Sequence, residues 1–108
     1  MTARTLPPLP TTWRSPQGPV RVSLVAVVDR ATPQTAEEFT LGSWFLAKRL
    51  IQIQRDLPLS VQWSTFYHEQ MHALLDDSGV ANLLSGEMKE AICDAYGTAR
   101  VIEQTAKL

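Results

Sequence analysis

The sequence has little of several features that would assign it to a specialised class. It contains one cysteine, Cys93, so a disulfide within the chain is impossible and a reducing, cytoplasmic setting is expected. Ten lysines and arginines nearly balance eleven aspartates and glutamates, and no basic run is present. Because a nucleic-acid-binding surface needs clustered positive charge, no nucleic-acid partner is expected. No stretch of about 18 apolar residues occurs and the first residues lack a signal-peptide core, so neither membrane insertion nor export is expected.

The length and the proline distribution predict one domain with an extended N-terminal arm. A chain of 108 residues can bury about two thirds of its unfolded surface, which is enough for one modest core. Five of the seven prolines lie in the first 19 residues: Pro7, Pro8, Pro10, Pro16 and Pro19. Since proline fixes φ and lacks an amide hydrogen, this segment cannot form a helix or a central strand. We predict an arm over residues 1–19 and a folded domain over 20–108. Whether the arm covers a functional cleft stays open.

The pattern of the next segments predicts a strand and a hairpin. The run Val20–Val28 is dense in β-branched residues, which is typical of a strand entering a core. Asp29–Thr40 has turn residues and a capping-box pattern, so we expect a connector there. Leu41–Gln54 mixes helix-favouring and strand-favouring residues. We interpret it as a hairpin that turns near residues 46–48 and continues as a strand over Arg49–Gln54.

Two helices are predicted in the rest of the chain. Ser60 is a suitable N-cap for a helix from Val61 to about Asp76, which should end near Ser78-Gly79. Ser85 is a second suitable N-cap, for a helix over Gly86–Thr105. The fold class is therefore α+β. The adjacent acids Asp76 and Asp77 are expected to be solvated.

The first of these helices carries two histidines and a glutamate at a spacing suited to metal chemistry. His68 and His72 are four residues apart, about 40° from each other on one helical face, so both imidazoles can reach one ion. Glu69 lies on the same side, where its carboxylate can reach a water on that ion without becoming a ligand. The pattern is HExxH.

The second helix carries three acids on one face. Glu87, Glu90 and Asp94 fall within about 60° of one another, together with small residues such as Gly97 that permit close helix packing. We expect this face to point inward, and inward carboxylates are costly unless paired or metal-bound. A zinc ion on the two histidines would remove that cost and take a third protein ligand here.

Together, His68-Glu69-x-x-His72 and Glu90-x-x-x-Asp94 resemble the HExxH…ExxxD signature of gluzincin metallopeptidases. Over residues 20–107 the order of elements is similar to the compact zincin core of minigluzincins and of ImmA/IrrE-type peptidases. This resemblance implies a small, mostly antiparallel sheet of about three strands packed on an active-site helix and a C-terminal glutamate helix.

The resemblance also implies a role for each residue. His68, His72 and Glu90 would bind one Zn2+ per chain, Glu69 would act as general base, and Asp94 would orient His68. The activity implied is hydrolysis of a peptide bond in a peptide or protein substrate by an activated water. In zincins an edge strand pairs with the substrate, and the candidate residues here are those of the second hairpin strand: Leu50, Ile51, Gln52 and Ile53.

Alternatives remain for several of these assignments. Glu87 is the rival third ligand, and Cys93 is expected to be a core thiol rather than a ligand. Both histidines are used for zinc, and none of Tyr67, Tyr96 and Arg100 can be assigned to the oxyanion. The second functional hypothesis is a latent or non-catalytic zinc-binding module. A homodimer or a regulatory protein is a possible partner, because so short a chain lacks the subdomain that walls the cleft of larger gluzincins.

Overall fold

A mixed sheet and two long helices form the α+β fold seen in the computed structural model, which describes residues 5–28 and 41–108. The strands are β1 (Thr12–Ser15), β2 (Gly18–Val25), β3 (Gly42–Phe45) and β4 (Leu50–Gln54). The helices are α1 (Leu59–Asp77) and α2 (Gly86–Ala106), with a short 3-10 helix at Val80–Leu83 between them. The predicted connector Asp29–Thr40 lies outside the described residues.

The sheet has four strands rather than about three, in the order β1-β2-β4-β3. The additional strand, β1, comes from the predicted arm and pairs antiparallel with β2, where Trp13 lies opposite Val20. Residues 12–15 contain no proline, so their amide hydrogens can bond to β2 although prolines flank them. Strand β1 lies at the edge of the sheet. This agrees with the prediction that the proline-rich segment is extended and cannot form a central strand.

The sheet is mixed rather than mostly antiparallel, because β2 and β4 run parallel, with Val22 opposite Ile51. The chain passes from β2 to the outer edge strand β3 and only then returns as β4 between them. The hairpin prediction for β3 and β4 is confirmed, with Phe45 opposite Leu50. The second strand begins one residue later than predicted because Arg49 takes a left-handed backbone with φ of 51° and completes the turn.

Helix boundaries agree closely with the predictions, except for one cap. Ser85 caps α2 as predicted, since its Oγ accepts a hydrogen bond from the Met88 amide at 3.1 Å. Ser60 does not cap α1, which begins at Leu59. The carbonyl of Pro58 accepts the amides of Val61 and Gln62, both at 2.9 Å, so the first turn already includes Ser60.

The core lies between the sheet and α1, and α2 packs on the other side of α1. The main cluster of buried side chains comprises Leu9, Val20, Val22, Ile51, Ile53, Trp63, Phe66 and Tyr67. Ile51 and Ile53 are fully buried, and each such side chain stabilises the fold by about 1.5–3 kcal/mol relative to exposure. Among the described residues, neither long helix has an apolar stretch of the length that a membrane span requires.

The predicted arm takes part in this core. Leu9 is buried, and the Trp63 indole donates a hydrogen bond to the Pro7 carbonyl at 2.7 Å. The predicted boundary between residues 19 and 20 falls inside β2. None of residues 5–19 lines the cleft described below, so this portion of the arm does not cover it.

Candidate metal centre

The two histidines lie in an open cleft bounded by β3, α1 and α2. Their ring centroids are 5.0 Å apart, as expected for residues one turn apart on a helix. The cleft has a volume of about 650 Å³, and its floor is formed by His68, Glu69 and His72 from α1. The sequence prediction that these three side chains share one face is confirmed.

Two glycines allow the neighbouring elements to approach this floor. A Cβ on Gly97 of α2 would lie 2.8 Å from the Ser64 carbonyl oxygen and 3.3 Å from the His68 amide nitrogen. A Cβ on Gly42 of β3 would lie 2.5 Å from Cγ2 of Thr65. Only glycine therefore fits without a shift at these positions, and the close helix packing predicted for Gly97 is confirmed.

Glu90 bridges the two imidazoles. Its Oε1 lies 2.8 Å from Nε2 of His72, and its Oε2 lies 3.2 Å from Nε2 of His68. These are hydrogen-bond distances, so the carboxylate occupies the space between the nitrogens that the sequence assigned to a metal. Glu87, the rival ligand, belongs to neither of the metal-compatible groups found among the described residues.

Asp94 contacts the other nitrogen of His68. The distance from its Oδ1 to Nδ1 of His68 is 2.8 Å, which is the contact expected of a carboxylate that orients a histidine. A hydrogen bond to Nδ1 fixes the tautomer and directs Nε2 of His68 into the cleft.

Glu69 is held in a different environment from the other acids. Its side chain is 8% exposed, its Oε1 lies 3.9 Å from Nε2 of His68, and its Oε2 has no hydrogen-bond partner among the described residues. Burial, with a further contribution from the charge of Glu90, raises the pKa of Glu69 to about 8. A nearby cation would favour the charged carboxylate and oppose this shift.

The remaining titratable groups complete the electrostatics of the centre. Burial lowers the pKa of His72, which favours the neutral imidazole that binds metals. Burial, with the nearby carboxylates, raises the pKa of Cys93 to about 12. Cys93 packs with Leu75 and Ala81, in agreement with the expected core thiol.

The donor atoms form two overlapping groups that could hold a metal. One atom each from His68, Glu69 and His72 lie within 4.8 Å of one another, and the same is true of His68, Glu90 and Asp94. The predicted ligand set of His68, His72 and Glu90 is not one of these two groups, although Glu90 contacts both imidazoles. Imidazole nitrogens and carboxylate oxygens are ligands that zinc accepts. The unpartnered oxygen of Glu69 and this donor chemistry both fit a cation in the cleft.

The expectation that the acidic face points inward is wrong. The side chains of Glu90 and Asp94 are 59% and 73% exposed. They line an open cleft, because α2 packs on α1 through Cys93 and Gly97 rather than through its acids. Because both carboxylates are exposed, the cost of burying their charge is not a reason to expect a metal beside them.

The predicted substrate strand is also corrected. Leu50, Ile51, Gln52 and Ile53 lie in β4, which is internal and pairs with β2 on one side and β3 on the other. Its backbone is therefore unavailable to a peptide. The edge strand beside the cleft is β3, and its residues 42–44 line the cleft wall. Gly42 was the available signal, since a glycine inside a strand often marks close backbone approach.

The three side chains considered for the oxyanion are engaged outside the cleft. The Tyr67 hydroxyl contacts Gln104 Oε1 at 3.2 Å, and the Tyr96 hydroxyl contacts Gln70 Oε1 at 3.0 Å. Arg100 lies over the Tyr67 ring, 5.1 Å from its centroid. None of Tyr67, Tyr96 and Arg100 lines the cleft.

Comparison of this chain with protein families, curated proteins and solved structures finds no match.

Proposed function

We propose that this chain is a zinc-dependent endopeptidase with a minimal zincin core. The observation that carries the proposal is the convergence of two imidazoles, a bridging carboxylate and a buried, incompletely paired glutamate in one open cleft. A purely structural pair of histidines would not require the unpartnered oxygen of Glu69, which is costly when buried. The resemblance to the HExxH…ExxxD signature supports the same assignment.

In this proposal His68, His72 and Glu90 hold the metal. Zinc, when bound, acidifies a water and polarises the scissile carbonyl. Glu69 takes the proton of the attacking water at its carboxylate and transfers it to the leaving amine. Asp94 keeps the Nδ1 proton of His68 in place, so that Nε2 remains available as a ligand.

The substrate is proposed to lie extended along β3 rather than β4. The outer edge of β3 is unpaired in the sheet of the described residues, and Ser43 and Trp44 line the cleft. A peptide added there would bond to the strand through its backbone, so its scissile bond could lie over the histidines. The cytoplasmic setting stays a proposal that rests only on the free thiol Cys93.

Metal content tests the first part of the proposal. Protein purified without added metal should contain about one zinc per chain, and Glu90→Ala should lower this sharply. Glu87→Ala is the matched control, because it removes the same carboxylate one turn earlier on α2 and should retain the zinc. Equal zinc loss in both variants, or no zinc in the parent, contradicts the ligand assignment.

Hydrolysis tests the second part. The parent and Glu69→Gln, purified identically and shown to carry equal zinc, are incubated with an unstructured protein. We expect the cleavage rate of Glu69→Gln to be at least about 100-fold lower than that of the parent, since general-base catalysis contributes 10²–10⁴-fold. Equal cleavage by both preparations would indicate a contaminating protease and would contradict the role of Glu69.

One observation favours the alternative of a non-catalytic zinc-binding module. Tyr67, Tyr96 and Arg100 are all engaged away from the cleft, so none of them is placed to stabilise an oxyanion. The alternative is supported if the parent binds zinc stoichiometrically but leaves the unstructured protein intact.

A further inference from the structure

Helix α2 carries an apolar stripe on the face that points away from α1. Its members are spaced alternately by four and three residues: Met88, Ile92, Ala95, Ala99, Ile102 and Ala106. All six are exposed, with Met88 at 55% and Ile102 at 65%. The residues of α2 that are buried, Cys93 and Gly97, lie on the opposite face.

This spacing is that of a coiled-coil seam. An alternation of four and three residues keeps apolar side chains on one line along a helix, where a partner helix can pack against them. The stripe runs the whole length of α2, about 30 Å, and its alanines permit a close approach of the partner backbone. The described part of the chain leaves this seam uncovered.

We propose that the seam is a self-association surface on which α2 of a second copy of this chain docks antiparallel. A two-fold axis near the middle of α2 places Ile92 beside Ile102 of the partner subunit and Ala95 beside Ala99 of the partner subunit. Met88 then lies at one end, beside Ala106 of the partner subunit. The alanines therefore meet at the centre, the isoleucines meet on either side of them, and each end pairs a methionine with an alanine. The two-fold axis leaves no apolar member of the seam without an apolar partner.

The charges beside the seam select this direction. In the antiparallel register Lys89 lies beside Glu103 of the partner subunit, and the two-fold axis repeats the pair. In a parallel pair Lys89 would lie beside Leu84 of the partner subunit, and no opposite charges would meet. Within one chain Glu103 contacts Lys107 at 3.2 Å and Arg100 at 3.8 Å, and such exposed pairs are weak enough to be exchanged.

The same register brings the second copy to the rim of the metal cleft. Thr98 lines the cleft and also lies at the border of the seam, where it would face its symmetry equivalent. The partner helix would then form part of a wall for a cleft that one chain leaves open. This inference rests on α2 alone and does not depend on the proposed function.

Sedimentation velocity of the full chain over a range of concentrations tests the proposal. We expect a dimer in the parent and a monomer in Ile102→Glu. Lys89→Glu and Glu103→Lys should each raise the dimer dissociation constant by roughly tenfold, because two attractive pairs become repulsive. Lys48→Glu, the same charge reversal on the exposed turn of the β3–β4 hairpin, is the matched control and should behave as the parent.

An equal mixture of Lys89→Glu and Glu103→Lys gives the sharpest result. One chain then carries two acids beside the seam and the other two lysines, so the mixture should form a heterodimer as tight as the parent dimer. Because both substitutions are at the surface, this result stands even if Ile102→Glu fails to fold. A monomeric parent, or a dimer that none of the α2 variants weakens, overturns the proposal. Weakening by Ile102→Glu alone overturns the antiparallel register.

Discussion

Two clusters of ionisable side chains lie along α1, and they differ in how their buried carboxylates are paired. At the end of the helix, Asp77 is 1% exposed and its carboxylate accepts hydrogen bonds from Ser15, the Gln17 amide and both terminal nitrogens of Arg49, the latter at 2.7 and 2.9 Å. In the middle of the helix, Glu69 is almost as buried, but its Oε2 has no partner among the described residues.

This difference in pairing accompanies pKa shifts of opposite direction in the two acids. Hydrogen bonds from Arg49, with smaller contributions from Ser15 and Gln17, lower the pKa of Asp77 to about 2. Burial raises the pKa of Glu69 to about 8. A carboxylate that joins the β1–β2 turn to the β3–β4 turn is a structural group, whereas a buried carboxyl beside two histidines, with a raised pKa and an oxygen unpartnered among the described residues, is suited to proton transfer. Burial alone therefore does not distinguish a functional acid.

The largest change in the free energy of unfolding is expected from removing the charge of Asp77. Asp77→Asn keeps the shape of the side chain but leaves Arg49 without its counter-ion, and breaking such a pair costs about 3 kcal/mol in the free energy of unfolding. Urea denaturation of metal-free protein measures this cost. The neighbouring Asp76→Asn is the control, because Asp76 accepts one hydrogen bond from the Trp44 indole and lacks an arginine partner among the described contacts. Equal effects of the two substitutions would contradict a special role for the Asp77 cluster.

The next effect concerns the packing of α2 against the metal cleft. Gly97→Ala should lower the free energy of unfolding by about 2 kcal/mol, because the new Cβ meets the Ser64 carbonyl and the α1 backbone must move. The shift includes His68, so zinc affinity should fall as well.

The matched control for that packing is Gly86→Ala, at the start of the same helix, where an added Cβ meets no atom within 4 Å. This variant should be as stable as the parent or slightly more so. Isothermal titration with zinc and urea denaturation are needed for both variants. If Gly97→Ala retains parental zinc affinity and stability, the close approach is not required.

The two clusters also differ in how far the sequence could predict them. His68, Glu69 and His72 are brought together by the period of one helix, and Glu90 and Asp94 by the period of another, so local spacing was sufficient. Asp77 was expected to be solvated, and this was wrong. Its partners Arg49 and Ser15 are 28 and 62 residues away, and no local pattern links them.

The same limit explains the errors in the sheet. The hairpin of β3 and β4 is local and was predicted, but the place of β4 in the middle depends on its parallel pairing with β2. Which strand is an edge is decided by all the strands together, so the choice of Leu50–Ile53 as the substrate strand could not be checked from the sequence. The four-stranded fold was for this reason predicted only in outline.

A smaller effect is expected from pH, again with Asp77. Because the folded-state pKa lies below the ordinary value of 3.8, ionised Asp77 stabilises the fold above that pH, and the contribution is lost as pH falls towards 2. The stability difference between parent and Asp77→Asn should therefore shrink by up to about 2 kcal/mol between pH 5 and pH 2. Urea denaturation of both proteins at several pH values measures it, and other acids cancel in the difference. A constant difference would show that the carboxylate acts through its shape only.

The smallest change in the free energy of unfolding is expected from the same carboxylate-to-amide change at Glu69. Its sign should be opposite to that of Asp77→Asn. At pH 7 Glu69 is ionised in the unfolded chain, but its raised pKa of about 8 favours the protonated form in the folded, metal-free protein, so folding must take up a proton. Glu69→Gln removes this cost, so the metal-free protein should be as stable as the parent or more stable by about 1 kcal/mol at pH 7. Urea denaturation beside Asp77→Asn gives the comparison directly, with the two isosteric changes on one helix. A loss of 2 kcal/mol or more in Glu69→Gln would place Glu69 with Asp77 as a structural acid. Unchanged or increased stability, together with lost hydrolysis at equal zinc content, is the combination expected of a group kept for its chemistry.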